Sequence, residues 1–274
     1  MDKLIQSRRI AYSIRDKLVE ELSKAGYIGD TNLDSTDLKS HHSIDKVATK
    51  VILGELRKTN AAIYIEGEAP IIPDKPACSI YIDPVDGSLN WDRGVGDPCI
   101  AIAISDNEKI NCLNDLNFAY VYGLRSGDEY WAEKGCAYYF CNLTQNTHKI
   151  NAAKTSGINN MVAYFRTGYG MAKKQLQKTL PLFYKVKDIR AIDNAGIEIC
   201  EIARGASDLM IEARDGSDGF NLIAYPILKA AGGALFSLDG LDLGLQSIKL
   251  EHKLNYIALG NPNQIKKIIE NINN

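Results

Sequence analysis

Ser79-Ile80-Tyr81-Ile82-Asp83-Pro84-Val85-Asp86-Gly87-Ser88-Leu89-Asn90-Trp91 carries an apolar strand directly into a carboxylate, a proline, a second carboxylate, a glycine and a hydroxyl. Pro84 has no N–H to give a ladder, so the strand is expected to end there. Gly87 permits the tight backbone needed before a helical turn, and Ser88 is placed to cap that turn. The unbonded N–H groups of the first turn then point at whatever lies above them. Two carboxylates and a helix N-terminus at one strand end suit a divalent cation bridging to a phosphate. Asp, Pro and Gly also crowd turns for purely conformational reasons, so the motif needs support from the rest of the chain.

Two other acidic stretches supply it. Ile63-Tyr64-Ile65-Glu66-Gly67-Glu68 is a second apolar strand ending in carboxylates beside a glycine, and Asp215-Gly216-Ser217-Asp218-Gly219 repeats the DxxDG spacing before an apolar, helix-like segment over 220–231. Carboxylates gathered at strand ends repel one another, and a metal is their natural counter-charge. No His or Cys lies inside these motifs, so all-oxygen ligation points to Mg²⁺, with Mn²⁺ as the alternative. A calcium EF-hand is excluded, because Asp83–Gly87 lacks the later bidentate Glu.

Around these motifs, strands and helices intermingle. AAIYIEG, CSIYID, CIAIAIS, FAYVYG, EYWAEKG, MVAYFR, VKDIRAI, DLMIE, GALFSL and LNYIALG read as strands. Helical patterns fall at the N-terminus (Ile10, Ile14, Leu18 and Leu22), over 44–57, near 171–180, near 196–203 and in NQIKKIIENI. Such alternation predicts a layered α/β or α+β architecture. A polar, turn-rich stretch near 140–155 divides one domain over 1–274 into two packed lobes, about 1–145 and about 146–274.

The chain has 274 residues, with 32 basic against 34 acidic side chains. That balance argues against a general nucleic-acid or anionic-membrane binder. No apolar run is long enough to span a membrane, and the N-terminus carries Asp16, Glu20 and Glu21 rather than a signal-peptide pattern. The six cysteines show no zinc spacing and read as reduced, structural thiols in a cytoplasmic protein.

Asp83-Pro84-Val85-Asp86-Gly87-Ser88-Leu89-Asn90-Trp91 resembles the D-P-[IV]-D-G-[TS]-x-N-[FW] signature of the inositol monophosphatase-like, lithium-sensitive, Mg²⁺-dependent phosphatases, which include fructose-1,6-bisphosphatases. Gly67-Glu68, Ala132-Glu133-Lys134-Gly135, the segment from Glu198 to Glu212, and Ala230-Ala231-Gly232-Gly233 extend the likeness over nearly the whole chain. It implies a layered αβαβα sandwich with a metal- and phosphate-binding first lobe, a substrate-binding second lobe, two or three Mg²⁺ ions and a homodimer. Glu68, Asp83, Asp86 and the Val85 carbonyl would ligate metal. Gly87 and Ser88 would offer N–H groups to the phosphate, and Asp45 would pair with Ser88 to help activate the attacking water. Glu212, Asp193 and Asn194 fall where relatives meet the substrate. Ala69 stands where relatives carry a second Glu, and the late Asp ligand is displaced: Asp218 is the nearest carboxylate, with Asp215 and Asn221 behind it.

The implied activity is hydrolysis of a small polyol or sugar phosphate, with inositol 1-phosphate and fructose 1,6-bisphosphate as first candidates. A 3′-phosphoadenosine 5′-phosphate-type nucleotide phosphatase and a non-catalytic metal or ligand binder on the same fold are the alternatives. Outside the motifs, His41, His42, His148 and His252 read as surface histidines, Trp91 as packing, and Lys134 and Arg166 as solvated charge more than anion-steering groups. Arg190 and Arg204 either contact a second phosphate or form salt bridges within the fold.

Overall fold

Alternation along the strands sets the layers of this protein. The computed structural model describes residues 2–25, 43–166 and 172–273; His41, His42 and the side chain of Leu22 lie outside them. In β2 (Cys78–Asp86) and β3 (Cys99–Ser105), Ile80, Ile82, Ile100, Ile102 and Ile104 face one way. They bury against Ile10, Ile14 and Leu18 of α1 (Lys3–Ala25) and Ala48 and Ile52 of α2 (Ser43–Leu56). The intervening residues, Tyr81, Ala101 and Ala103, turn the other way. There they meet α5 (Ala195–Ala203) and α6 (Tyr225–Ala230). Period-2 strands with apolar residues on both faces require cover on both sides.

The first sheet has seven strands in sequence order, β1 (Ala61–Ile65), β2, β3, β4 (Phe118–Gly123), β5 (Glu129–Glu133), β6 (Cys136–Cys141) and β7 (Asn146–Ile150). Only β1 and β2 pair in parallel; the rest is a meander. A second sheet of five strands runs in the order β11 (Ala234–Phe236), β12 (Tyr256–Leu259), β10 (Leu209–Glu212), β8 (Val162–Phe165) and β9 (Asp188–Arg190). One face of it shares the α5/α6 layer through Tyr164, Met210 and Tyr256. The other packs Phe165, Ile211 and Ile257 on α4 (Ala172–Phe183) and α7 (Ile265–Ile272) through Leu182 and Ile268. The result is the expected αβαβα sandwich.

Three local expectations are corrected. Pro84 does not end β2, which continues to Asp86 through a bulge between Asp83 and Asp86; at a bulge no ladder N–H is needed, so proline is tolerated. The apolar segment 220–231 is not one helix but a 3₁₀ turn over Gly219–Leu222 followed by the short α6, with Pro226 in its first turn. The stretch near 140–155, read as polar and turn-rich, holds a strand, β7, at the edge of the first sheet.

Candidate active site

The parallel register of β1 and β2 builds the acidic centre. Tyr64 lies opposite Tyr81 and Ile65 opposite Ile82, and the Glu66 N–H donates to the Ile82 carbonyl at 2.9 Å. One step further along, Glu66 and Asp83 come side by side, on the face shared with Tyr64 and Tyr81. Asp83 is 2% exposed, and its carboxyl lies close to that of Glu66. Glu66 lies close in turn to Asp218. Asp218 arrives from the second lobe as the N-cap of the 3₁₀ turn, its Oδ1 accepting from the Phe220 N–H at 3.0 Å.

Glu68, the residue expected beside Asp83, is not in this row. The chain turns at Gly67, whose φ is +75°, and Glu68 is exposed on the rim of a cleft with Tyr64, Pro70, Asp218, Phe220 and Glu251. Strand alternation was the signal that distinguishes the two: Glu66 shares the parity of Tyr64, whereas Glu68 follows the turn.

Electrostatics record the crowding. Burial, and then the charges of Asp218, Asp86 and Asp45, push the Glu66 carboxyl up to about 8. Burial, and then the charges of Glu66, Asp86 and Asp45, hold Asp83 well above the carboxylate range. Asp86, 7% exposed, is raised by burial to about 6, with Arg166 and the Gly196 N–H pulling it back. Burial also raises Asp218, against Lys253. Asp45, in the first turn of α2, faces the same row. Each shift places the folded pKa above the unfolded one, so these carboxyls contribute stability to the cation-free protein that is present below about pH 4.5 and is lost as pH rises toward about 8. Chelator-treated protein should therefore show a melting temperature that falls over this window, at roughly 1.4 kcal/mol per pH unit for each proton released. A melting temperature that rises with pH would contradict it.

The donor set fits a divalent cation. Asp83 Oδ1 is buried without a hydrogen-bond partner, and its carboxyl lies close to that of Glu66, where two ionised acids repel each other. A cation relieves that repulsion, and oxygen donors select Mg²⁺ or Mn²⁺. Among the described residues no three His, Cys, Asp or Glu side chains stand ready-made around a metal position, so binding would draw the carboxylates together. The Asp83–Asp86 bulge takes Val85 out of the ladder beside them. Asp215 faces away, paired with Asn255.

Next to the acids, Gly87 (φ +83°) is the N-cap of α3 (Ser88–Arg93), and no side-chain cap bond forms; Ser88 is the first helical residue rather than the cap. A Cβ on Gly87 would lie 3.1 Å from Asn194 Nδ2. Gly87→Ala should cost about 1–2 kcal/mol in chemical denaturation, because its left-handed backbone is strained for any side chain; an unchanged midpoint would refute that.

The expected substrate residues are otherwise employed. Asn194 is fully buried; its Nδ2 donates to the Asp86 carbonyl at 3.1 Å and the Asp97 carbonyl at 2.7 Å, and its Oδ1 caps α5 at the Ile197 N–H. Glu212 is fully buried, holds Arg214 at 2.7 Å and accepts from Ser217 Oγ at 2.9 Å. Asp193 accepts from Arg166 Nε at 2.8 Å and pairs with Arg214 at 2.9 Å; those two cations outweigh burial and hold its carboxyl below the usual range. Arg166, expected in solvent, is 4% exposed at the centre of this network. Its burial follows from its place at the end of β8, a strand covered on both faces. Arg190 and Arg204 form salt bridges with Asp188 and Glu201, His148 and His252 are exposed, Lys134 is a solvent-exposed turn residue, and Trp91 packs under Arg125.

Comparison with known proteins identifies the family and the fold. The model of the inositol monophosphatase family matches residues 4–272. The chain belongs to that family. It is 28% identical over 266 residues to a fructose-1,6-bisphosphatase/inositol-1-monophosphatase of Archaeoglobus fulgidus, covering 94% of this chain and 93% of the relative. It is 29% identical over 265 residues to a bifunctional NADP phosphatase/NAD kinase of Methanococcus maripaludis, covering 89% of this chain but 45% of that protein. The solved IMPase of Thermotoga maritima superposes with a TM-score of 0.76 at 19% identity, over 100% of this chain and 97% of that one. Membership of the family makes the protein a phosphatase of the hydrolase class acting on a phosphorylated small molecule. No helix among the described residues is long and apolar enough to cross a membrane.

Proposed function

We propose that this protein is a Mg²⁺-dependent phosphomonoesterase of small polyol or sugar phosphates, with inositol 1-phosphate and fructose 1,6-bisphosphate as its first candidate substrates. The observation that carries the reading is the row Asp83–Glu66–Asp218, with its orphaned Asp83 oxygen, beside the Gly87-Ser88 turn. Asp83, Glu66 and Asp218 would hold the cation, with the Val85 carbonyl and Asp86 adjoining. When bound, the cation lowers the pKa of water and offsets charge on the phosphoryl oxygens. Gly87 and Ser88 would orient the phosphate through backbone N–H groups at the start of α3. Asp45 and the Ser88 hydroxyl would position the attacking water and accept its proton, a contribution on the order of 10²–10⁴-fold.

Glu68, Glu251, Tyr64 and Phe220 line the cleft leading to the acids, and these would meet the alcohol part of the substrate in place of the buried Asp193, Asn194 and Glu212. A homodimer in the cytoplasm completes the proposal; the six unpaired cysteines support a reducing compartment. Phosphate release from inositol 1-phosphate, fructose 1,6-bisphosphate, NADP⁺ and 3′-phosphoadenosine 5′-phosphate tests the substrate class. A polyol or sugar phosphate should rank first, and preference for either nucleotide would overturn that assignment.

A further inference from the structure

One wall of the cleft above the acidic centre comes from late in the chain. Between β11 and β12, residues 244–255 are tied to both lobes. On the first lobe, the Ile248 N–H donates to the Asn111 carbonyl at 3.0 Å, and the Asn114 N–H donates to the Gly244 carbonyl at 3.1 Å. On the turn that carries Asp218, the Gly219 N–H donates to the Leu250 carbonyl at 2.7 Å and the Leu254 N–H to the Ser217 carbonyl at 3.0 Å. The Asp215 N–H donates to Asn255 Oδ1 at 2.9 Å. A Cβ on Gly219 would lie 2.6 Å from the Leu250 Cα, so this close approach depends on glycine. Leu250 is buried in the core, and the next residue, Glu251, is exposed at the rim of the cleft with Glu68.

The cleft holds about 250 Å³. Tyr64, Ile65, Pro70 and Phe220 give it an apolar surface, and Glu68, Asp218 and Glu251 give it charge; among the described residues no Lys or Arg lines it. Asp218 belongs to the cation-binding row. The carboxylates of Glu68 and Glu251 have no hydrogen-bond or ion-pair partner among the described residues. Lys253, two residues on, donates to the Gly216 carbonyl and offsets Asp218. A phosphate monoester carries about two negative charges near neutral pH, and its recognition calls for Arg, Lys or free N–H groups. With one phosphate on the Gly87-Ser88 turn, a second one carried by the same substrate would meet uncompensated carboxylates at the mouth of the cleft. We propose that Glu251, held there by residues 244–255, is a specificity-determining residue that acts with Glu68 to reject a second phosphate, so that the protein takes monophosphates of uncharged polyols or sugars and discriminates against bisphosphates. The inference rests on the phosphatase reading above and chooses between its two first candidates, inositol 1-phosphate over fructose 1,6-bisphosphate. The discrimination comes from a repulsive element rather than from an added contact. Both carboxylates are exposed, so salt screens the effect.

The test compares kcat/KM for fructose 1-phosphate and fructose 1,6-bisphosphate, which share an alcohol and differ in the 6-phosphate, with inositol 1-phosphate alongside, in the full-length protein at saturating Mg²⁺. At low ionic strength the wild type should prefer fructose 1-phosphate by at least about fivefold, chiefly through KM. That preference should fall about threefold in Glu251→Gln and about tenfold in Glu251→Lys, and in the wild type it should shrink as NaCl is added. Glu251 is exposed, so both variants should melt as the wild type does. A wild type that prefers the bisphosphate, or a preference that neither substitution nor salt alters, would overturn the proposal while leaving the phosphatase intact. No phosphate release from any of the three esters would remove the phosphatase reading itself.

Discussion

Asp83→Asn should reduce Mg²⁺-dependent phosphate release by at least about 10³-fold, the scale expected when charge stabilisation at the reacting phosphoryl group is lost. Asp83 lies at the middle of the acidic centre, close to Glu66, Asp86 and Asp45, and no other side chain can replace a ligand buried at the end of β2. The same substitution should stabilise the cation-free protein at pH 8. An amide of the same shape removes one of several buried like charges, and a gain of about 1 kcal/mol or more is expected in urea denaturation. Function and stability therefore pull in opposite directions at this residue. A variant that stays active, or one that is inactive because it fails to fold, would contradict this account of Asp83.

Arg166→Met should destabilise the fold by about 3–5 kcal/mol, the cost of stripping the partner from a buried ion network. Arg166 is enclosed by Asp193, Glu198, Glu212 and Asn221. Glu198 Oε2 already lacks a hydrogen-bond partner, and burial raises that carboxyl to about 7 even with Arg166 present. Loss of the guanidinium leaves three buried acids to the single charge of Arg214. Denaturant midpoints at pH 8 and pH 5 separate this from simple loss of packing: the deficit should shrink at pH 5, where protonation relieves the acids. A deficit that does not change with pH would show that Arg166 acts through volume alone.

The legible parts of the sequence were those in which side-chain period and burial coincide. Ile80, Ile82, Ile100, Ile102 and Ile104 alternate with small or aromatic residues, and both faces are covered, so the strands and layers could be read directly. β7, Asn-Thr-His-Lys-Ile, is a polar edge strand held by backbone pairing, and its side chains carry no such pattern. The motif around Asp83 could be read because its residue types are chemically distinctive. Which upstream acid lies beside Asp83 follows from the parallel register of β1 and β2, a pairing between distant segments that sets Glu66 next to it and Glu68 on the rim of the cleft. Arg166 was misread for a related reason. An arginine at a strand end looks solvated until the topology brings Asp193, Glu198 and Glu212 from three other segments around it. The roles expected of Asp193, Asn194 and Glu212 depended on which way each side chain turns, and ion pairing and helix capping turn them inward.

The central claim is that the acids at the end of β2 bind a divalent cation to hydrolyse a phosphate ester. Its most direct test is phosphate release from inositol 1-phosphate by chelator-treated protein, before and after addition of Mg²⁺, in the wild type and in Asp83→Asn. The account predicts no release without the ion, restoration on adding it, and no restoration in the variant. Turnover that persists in the chelator, or that returns equally in Asp83→Asn, would place the chemistry elsewhere in the molecule.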